Sequence, residues 1–496
     1  MTTGIRIYNT LTRREEDFTP VVPGQAGIYL CGPTVYDDCH IGHLMGPVLF
    51  DACARWLQVR GHRVRLVNNI TDIDDKIIQR ALTTGEPWQD ITRRYTAQYL
   101  DLLARLHVTT ITDHPRCSDF VPQMVTYIGE LIAAGRAYAV ADDGVYFDVQ
   151  KQEGYGKLSG RKLDDMQAGA RIERDARLHH PADFALWKLA KPGEPSWPSP
   201  WGAGRPGWHI ECSVMSHHTL GHTFDIHAGG EELKFPHHEN EIAQGEAHGG
   251  CYARIWMHNN LVQFEGDKIS KSDPRMKDPA FRDQFKALEV VGRFGGSVVR
   301  FLLLSGQYRR PVDFAPAVIA SQRTALGKLH RQLGPLLDEA SGADVLTRSL
   351  PPLAAATRDT VCAGMDHDFN TGAVIAACFT LATEARKHSD DEAATLNRAW
   401  RDLGRLIGLF QPGDGKDTAE ATTTAGSALT ALMARLITRR QTARAARDFA
   451  TADRIRDALT PVKIAIKDGK DGATWVLAGD EAAATAAVEA LLAQLE

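Results

Sequence analysis

The chain has 496 residues, of which 43% are hydrophobic and 24% are charged, and its formal net charge is −5. This length is too great for one hydrophobic core and predicts about two to four domains of ordinary globular composition. The small negative charge excludes nucleic-acid binding through the overall field, so such a partner requires local basic patches.

The cysteines and the N-terminal segment predict where the protein works. Eight cysteines over this length, without paired spacing, argue against a disulfide framework and favour a reducing compartment. The N-terminal sequence has no apolar signal core, and no uninterrupted apolar run reaches membrane-spanning length. We therefore expect a cytoplasmic protein with no membrane partner.

The first elements predict a nucleotide-binding fold. Residues 26–31 read as a short apolar strand, 32–61 as a loop followed by an amphipathic helix, and 62–78 as a second strand, a polar loop and a helix. A strand–helix–strand unit with a glycine-rich first turn begins a Rossmann-like parallel sheet. Ligands of such sheets bind at the carboxyl ends of the strands.

The turn after the first strand carries His40 and His43 at i and i+3, where a helix is predicted to begin. Free N–H groups and the positive end of the helix dipole favour a phosphate there, and two imidazoles suit the charge that develops during its transfer. Gly42 between them would let a nucleotide approach closely. Two such histidines are, however, more often caps or surface residues.

The region between 115 and 206 has a different character. Residues 144–160 read as strands with turns, and residues 191–207 are rich in proline, glycine and tryptophan. This pattern predicts an insertion into the nucleotide fold that returns to the sheet at Trp208. We expect Trp197 and Trp201 to pack within the loop that closes the insertion.

Three side chains between 208 and 241 have the chemistry of zinc ligands. Cys212 is followed by His237 and Glu241, which share a helix face at i and i+4. Zinc prefers four ligands, and Cys31 at the end of the first strand is the most plausible fourth. Because no CxxC pair is present, buried apolar cysteines and a solvated helix face remain the alternative.

The segment after this candidate site predicts a strand, a turn and a loop with two lysines. Lys268 and Lys271 lie three residues apart in a stretch with aspartate, serine and glycine. Lysines on such a loop can close over a triphosphate and neutralise its charge during reaction. A solvated basic loop is the alternative.

The second half is predominantly helical in character. Residues 298–316 predict a strand-and-turn stem, 317–410 an antiparallel helix bundle, and 411–427 a flexible linker. Residues 428–459 form an alanine- and arginine-rich helical stretch in which two or three of seven arginines are expected to meet RNA. Residues 463–479 predict a hairpin in which Trp475 either stacks on an unpaired base or packs in the core.

These motifs together resemble one known family. The tetrapeptide HIGH at 40–43 and the pentapeptide KISKS at 268–272 are similar to the two signatures of class I aminoacyl-tRNA synthetases. The stretches CGPTVYD (31–37), GWHIECS (207–213) and FPHHENEIAQ (235–244) resemble the cysteinyl-tRNA synthetase family specifically. Ile269 and the SDPR stretch at 272–275 depart from the usual pattern of that family.

The resemblance implies a role for each candidate residue. It gives zinc the ligands Cys31, Cys212, His237 and Glu241, the set also reached from donor chemistry. It further implies that His40 and His43 contact ATP and that Lys268 and Lys271 close over its phosphates. Thr71 and Trp208 match positions near the cysteine substrate. ATP is expected with Mg²⁺, and the partners are L-cysteine and tRNA-Cys, the latter bound by the C-terminal part of a monomer.

A thiol-binding metal would explain how such an enzyme rejects serine. A pocket without a metal discriminates between two substrates that differ by one small group by only about 10–200-fold, whereas accurate decoding needs discrimination of roughly 10⁴–10⁵-fold. A soft metal binds thiolate far better than a hydroxyl. Two rivals remain open: a ligase that passes the same adenylate to an amino-sugar thiol precursor, and a non-catalytic tRNA-binding protein.

The predicted organisation has seven segments. They are the first half of the catalytic domain (1–114), a connective insertion (115–206), the second half with the zinc site and KISKS loop (207–290), a stem (291–316), a helical bundle (317–410), a linker (411–427) and an anticodon-side domain (428–496).

Overall fold

The structure is a computed structural model that describes residues 4–163, 176–266, 274–340, 344–415, 427–446, 448–462, 464–469, 472–477 and 481–495. The chain divides into two compact units, Met1–Asp417 and Thr418–Glu496. The first carries every described residue of the predicted catalytic site. No described helix is long and apolar enough to cross a membrane.

The strands of the described residues are β1 (Arg6–Asn9), β2 (Arg14–Asp17), β3 (Gln25–Leu30), β4 (Arg63–Asn68), β5 (Ile111–Asp113), β6 (Ala137–Val140), β7 (Gly144–Phe147), β8 (Phe184–Leu189), β9 (Gly204–Pro206), β10 (Phe224–Gly230), β11 (Ala253–Asn259), β12 (Val262–Gln263), β13 (Val312–Asp313), β14 (Ile464–Gly469) and β15 (Gly472–Leu477).

The α-helices are α1 (Met45–Val59), α2 (Asp75–Thr84), α3 (Trp88–Arg105), α4 (Val121–Ala133), α5 (Trp208–Leu220), α6 (His237–Ala247), α7 (Pro279–Asp283), α8 (Ala287–Phe294), α9 (Gly296–Leu303), α10 (Pro316–Leu333), α11 (Pro352–Asp366), α12 (Thr371–Ala385), α13 (Asp390–Arg405), α14 (Ser427–Ala445), α15 (Phe449–Leu459) and α16 (Glu481–Leu495).

A five-stranded parallel sheet forms the centre of the first unit, in the order β11-β10-β3-β4-β5. Ile28 and Tyr29 are neighbours on β3 yet both are fully buried, because a parallel sheet is covered on both faces. Helix α1 connects β3 to β4 and buries Phe50 and Trp56 in the core. The predicted Rossmann-like α/β fold is therefore confirmed.

The chain between β5 and β10 carries a separate four-stranded antiparallel sheet in the order β6-β7-β8-β9. Phe147 and Trp187 are buried in its core, and Trp197 and Trp201 pack partly buried against the same cluster. The tryptophans thus pack as expected. Trp208 does not re-enter the sheet directly, since it begins α5, which precedes β10.

The strand-and-turn stem predicted for residues 298–316 is largely helical, and its strand is confined to two residues. Residues 296–303 form helix α9, and the only strand described in this segment is the two-residue β13. All eight residues of α9 are buried, so the apolar run has no helical stripe, and periodicity cannot tell it from a buried strand. Gly295 has a φ of +87°, which ends α8 and makes α9 begin at the next residue.

A buried ion pair ties α9 to the nucleotide fold. The guanidinium of Arg300 donates to Asp51 on α1 at 2.5 Å and to the carbonyls of Leu106, His107 and Ile407. Both charged side chains are fully buried. The carbonyl of Ile407 follows α13, so one arginine joins the sheet domain to the helices that come after it.

Helices α10 to α13 form the predicted helical region of the first unit. The second unit has its own core, in which Leu436, Ile455 and Val488 are buried. Strands β14 and β15 form the predicted hairpin, and Trp475 packs partly buried against that core. Of the arginines, Arg456 is ion-paired with two aspartates and Arg440 is buried, while Arg447 lies outside the described residues.

Candidate active site

Four predicted ligands meet at the carboxyl end of the parallel sheet. Cys31 directly follows β3, Cys212 lies on α5, and His237 and Glu241 lie one turn apart on α6. One donor atom from each lies within 4.8 Å of the donors of the other three. Side chains 210 residues apart are thereby brought together, as Cys31 Sγ lies 3.6 Å from Glu241 Oε1.

The donors are close enough to share one small cation. Cys31 Sγ lies 3.7 Å from Cys212 Sγ, and His237 Nε2 lies 3.1 Å from Glu241 Oε1. Tetrahedral zinc has ligand bonds of about 2.0–2.3 Å, which separates its donors by roughly 3.3–3.8 Å. Cys212, His237 and Glu241 are buried and Cys31 is partly buried, so two thiols, an imidazole and a carboxylate form a shielded donor set.

The protonation preferences of these groups follow from burial. Burial lowers the pKa of His237 to about 3, so its imidazole is neutral and has a lone pair to donate. Burial, with Cys212 beside it, raises the pKa of the Cys31 thiol. Burial works to raise the pKa of Glu241, but His227 and His237 outweigh it and hold that pKa below its usual value. A cation would therefore displace thiol protons here rather than an imidazole proton.

Further histidines surround this group, and the sequence did not single them out as ligands. His227 Nε2 lies 2.8 Å from Glu241 Oε2, and His238 Nε2 lies 3.3 Å from Cys31 Sγ. Cys31, His227, His238 and Glu241 form a second set of donors within 4.8 Å of one another. The adjacent histidines of the FPHHENE run were the available signal, but only the fold brings His227 of β10 to α6.

Thr71 lies in the loop after β4 and is buried close to the ligands. Its hydroxyl donates to Glu211 Oε2 at 3.0 Å and accepts from Asn69 Nδ2 at 3.3 Å. Glu211 directly precedes Cys212 on α5, and burial raises the pKa of its carboxyl group well above the usual range. The sequence did not reveal these two residues, because Glu211 meets Thr71, and Asn69 meets Gly32 and Cys212, only across distant parts of the chain.

Trp208 begins α5 and stacks on a candidate ligand. Its ring centroid lies 4.2 Å from that of His237, with an interplanar angle of 21°. The ring remains 38% exposed, so it covers the imidazole from the solvent side. His209 Nδ1 lies 3.0 Å from His237 Nδ1, so the edge of the His237 ring also has a polar partner.

His40 immediately precedes a short 3-10 helix, Ile41–Leu44, that leads into α1, and His43 lies within that helix. Their rings stack with centroids 3.7 Å apart, and the His40 N–H donates to His43 Nδ1 at 3.2 Å. A Cβ at Gly42 would lie 3.0 Å from the His40 ring, so the space at this glycine is filled by that ring. Lys268 and Lys271 of the second signature lie outside the described residues.

The backbone after β3 tolerates no side chain at Gly32. A Cβ there would lie 1.6 Å from the carbonyl oxygen of Asn69, whose side chain accepts the Gly32 N–H at 2.8 Å. We expect Gly32→Ala to push apart the loops of Cys31 and Thr71 and to lower kcat/KM for the amino-acid substrate by about 100-fold. Steady-state kinetics would measure this loss.

Gly129→Ala is the matched control for that substitution. Gly129 lies within α4, where an added Cβ meets nothing within 4 Å, and alanine is the better helix former there. Its kinetics are expected to equal those of the unaltered protein. A Gly32→Ala variant with the same kinetics as Gly129→Ala would contradict the close-approach argument.

Comparison with known proteins identifies the family. Residues 17–324 match the family described as "tRNA synthetases class I (C) catalytic domain", and residues 360–411 match the DALR domain. The chain is 44% identical to the cysteine–tRNA ligase of Laribacter hongkongensis over 95% of this chain and 99% of that protein. It is 45% identical to the cysteine–tRNA ligase of Chromohalobacter salexigens over 96% and 100%.

The chain belongs to the cysteine–tRNA ligase family. Solved structures of other class I synthetases share its fold at low sequence identity. Methionyl-tRNA synthetase of Mycobacterium tuberculosis, bound by methionyl-adenylate, aligns over 82% of this chain and 94% of its own at a TM-score of 0.52 and 14% identity. The LeuRS of Agrobacterium radiobacter, in a ternary complex with tRNA and LeuAMS, aligns over 83% and 86% at 0.56 and 13%.

Proposed function

We propose that this cysteine–tRNA ligase family member joins L-cysteine to tRNA-Cys at the expense of ATP, in the cytoplasm and as a monomer. First, a cysteine carboxylate oxygen attacks the α-phosphorus of ATP and pyrophosphate leaves. Then a terminal ribose hydroxyl of the tRNA attacks the carbonyl carbon of cysteinyl-adenylate, loses its proton and releases AMP. The family and the four converging donors support this proposal.

We propose zinc as the resident metal, held by Cys31, Cys212, His237 and Glu241. Two thiols with an imidazole and a carboxylate suit zinc better than a hard cation such as Mg²⁺. His227 belongs to the alternative donor set, but its ring stacks on Trp256 with centroids 4.3 Å apart and its Nε2 faces Glu241 Oε2. We therefore assign His227 the role of a hydrogen-bond partner that orients the ligand Glu241. When bound, zinc supplies an affinity for a thiolate that a hydroxyl does not match.

The protein side chains around that metal have separate tasks in the proposal. Trp208 excludes water from His237, and Thr71, fixed by Glu211 and Asn69, presents a hydroxyl to the amino-acid backbone. His40 and His43 contact ATP, and Lys268 and Lys271 neutralise its phosphates. Positioning and charge stabilisation are enough for such phosphoryl chemistry, so no protein nucleophile is required. Mg²⁺ accompanies ATP.

Pyrophosphate exchange into ATP tests the first step directly. With ATP and Mg²⁺ present, cysteine is expected to support exchange with a kcat/KM at least about 10⁴-fold higher than that of serine. Charging of a tRNA-Cys transcript with labelled cysteine then tests the second step. Serine serves as the matched control because it differs from cysteine in one atom.

Each other outcome contradicts the proposal in a different place. Absence of exchange with cysteine would indicate a non-catalytic RNA-binding protein. Exchange without charging of tRNA-Cys would indicate a ligase for a small acceptor. Equal exchange with cysteine and serine would reject the metal as the source of selectivity while leaving adenylation intact.

A further inference from the structure

A second group of histidines lies at the surface of the first unit and shares no residue with the candidate metal site. This surface histidine cluster consists of His217, His218, His222 and His248, with Glu130 beside it. The rings of His217 and His222 meet edge to face with centroids 3.9 Å apart. His218 and His222 are exposed, so solvent reaches the cluster. None of these residues has a part in the proposed function.

A buried tyrosine connects the histidines of this cluster. The ring centroid of Tyr127, on α4, lies 3.8 Å from that of His248 and 6.1 Å from that of His217. The Tyr127 hydroxyl donates to the carbonyl of Gln244 at 3.1 Å, which fixes the tyrosine ring against α6. His217 and His248 therefore lie on well-defined parts of the fold, and the exposed histidines lie beside them.

Three helices end at the surface histidine cluster. Glu130 lies in the last turn of α4, His217 lies in the last turn of α5, and His248 caps the C-terminus of α6. The C-terminus of each helix carries the negative end of its dipole, which favours a cation nearby. No ion pair joins Glu130 to a lysine or an arginine in the described part of the chain. The electrostatics of this place therefore favour a positive ion as ligand.

One imidazole of the cluster has a buried nitrogen atom without a hydrogen bond. Nε2 of His248 is buried and has no hydrogen-bond partner among the described residues. Nδ1 of the same ring lies 3.5 Å from Glu130 Oε2, and a carboxylate at that position favours the tautomer with its proton on Nδ1. The lone pair then lies on Nε2. Carboxylates orient the histidine ligands of zinc in this way.

The protonation states of the half-buried histidines suit a metal ion. Burial lowers the pKa of His217 to about 4, and the three other histidines of the cluster act in the same direction. Burial also lowers the pKa of His248, although Glu130 acts to raise it. Both rings are therefore neutral near pH 7, and each carries a lone pair that can bind a metal.

We propose that His217, His222 and His248 form a second metal site, which takes zinc or a similar divalent transition-metal ion. Imidazole nitrogens are common ligands of such ions, and water completes the coordination. Among the described residues, no three donor atoms of this cluster lie within 4.8 Å of one another, so the rings of His217 and His222 must turn to bind. This ordering makes the site weaker than the proposed resident zinc site. It loses its ion on dialysis against metal-free buffer and fills when zinc is added.

An ion at this site would stabilise the helices that carry the candidate zinc ligands. His217 lies on α5, as does Cys212, and His248 directly follows α6, which carries His237 and Glu241. A metal bound to both histidines joins the C-terminal ends of these two helices. Because only the folded chain brings the ligands together, binding adds to the free energy of unfolding.

Titration of the purified and dialysed protein with Zn²⁺ tests the site. Isothermal titration calorimetry is expected to show that the unaltered protein binds one further zinc per chain and that His222→Ala binds none. His248→Phe keeps a ring against Tyr127 but removes both nitrogen atoms, and it is expected to lose the further zinc as well. His367→Ala is the matched control, because His367 is an exposed histidine of the first unit outside the cluster. The control is expected to bind the further zinc.

Thermal unfolding measures the same binding through stability. Added zinc is expected to raise the unfolding midpoint of the unaltered protein and of His367→Ala by roughly 2–4 °C, and to leave that of His222→Ala unchanged. Without added zinc the three midpoints should agree, since His222 and His367 are exposed, and this agreement shows that the variants fold. The proposal would be overturned if the unaltered protein bound no further zinc, if His222→Ala or His248→Phe still bound it, or if His367→Ala lost it.

Discussion

Replacing Cys212 with serine is expected to remove the bound metal and to lower kcat/KM for cysteine in pyrophosphate exchange by roughly 10³-fold. Serine keeps the shape of the side chain, but its hydroxyl is a poor ligand for a soft metal. With Cys212 lost, Cys31 faces His237 and Glu241 as the last thiol of the set. KM for ATP should change little, since His40 and His43, the residues proposed to contact ATP, are not members of the metal-ligand set.

Metal analysis of the purified variant and exchange kinetics measure both effects. Cys251→Ser is the matched control, because Cys251 is exposed and its sulfur contacts only the nearby carbonyl of Ala253 among the contacts described. One zinc per chain is expected in the control and almost none in Cys212→Ser. Full zinc content together with normal cysteine kinetics in Cys212→Ser would reject the proposed ligand set.

Arg300→Met is expected to lower the free energy of unfolding of the first unit by about 3–5 kcal/mol. Methionine fills much of the volume but removes one of the two guanidinium groups that pair with the buried Asp51 carboxylate, leaving only the partly exposed Arg55, and frees three carbonyl groups. Removing one member of a buried pair costs far more than the pair contributes. Urea unfolding, followed by the fluorescence of the buried Trp56 and Trp400, measures the change.

Two further variants distinguish the cost of a buried charge from a nonspecific loss of stability. Arg398→Met breaks an exposed pair with Glu339 and is expected to cost at most about 1 kcal/mol. Adding Asp51→Asn to Arg300→Met removes the buried carboxylate, whose remaining cationic partner is the partly exposed Arg55, and should recover part of the lost stability. A double variant that is less stable than Arg300→Met would show that the charge of Asp51 is not the cause.

The sequence predicted the nucleotide fold because its signals are local. Strand β3 is a continuous apolar run, and the amphipathic helix α1 follows it after a glycine-containing turn, so type and order of the elements could be predicted. The same rule failed for α9. There both a buried strand and an all-buried helix produce the run VVRFLLL, and the tertiary environment decides between them.

The candidate site was predictable where donor chemistry is distinctive. Thiols, an imidazole and a carboxylate at helical spacing pointed to Cys31, Cys212, His237 and Glu241, which the fold brings together. Partners such as Glu211 of Thr71, 140 residues away, follow only from three-dimensional packing. The roles of these residues and the seven-segment division of the chain remain predictions.

The middle strand of the sheet has a consequence for how the protein is made. Strand β3 lies between β4, which follows within 40 residues, and β10, whose Ile226 pairs with Ile28 from far along the chain. A ribosome adds roughly 5–20 residues per second, so Cys31 waits about 10–40 s for Glu241 to be synthesised. During that interval one edge of β3 offers unpaired N–H and carbonyl groups, and the proposed metal site is complete only when about half of the chain has been synthesised. Nascent chains stalled within the insertion should therefore depend most on chaperones.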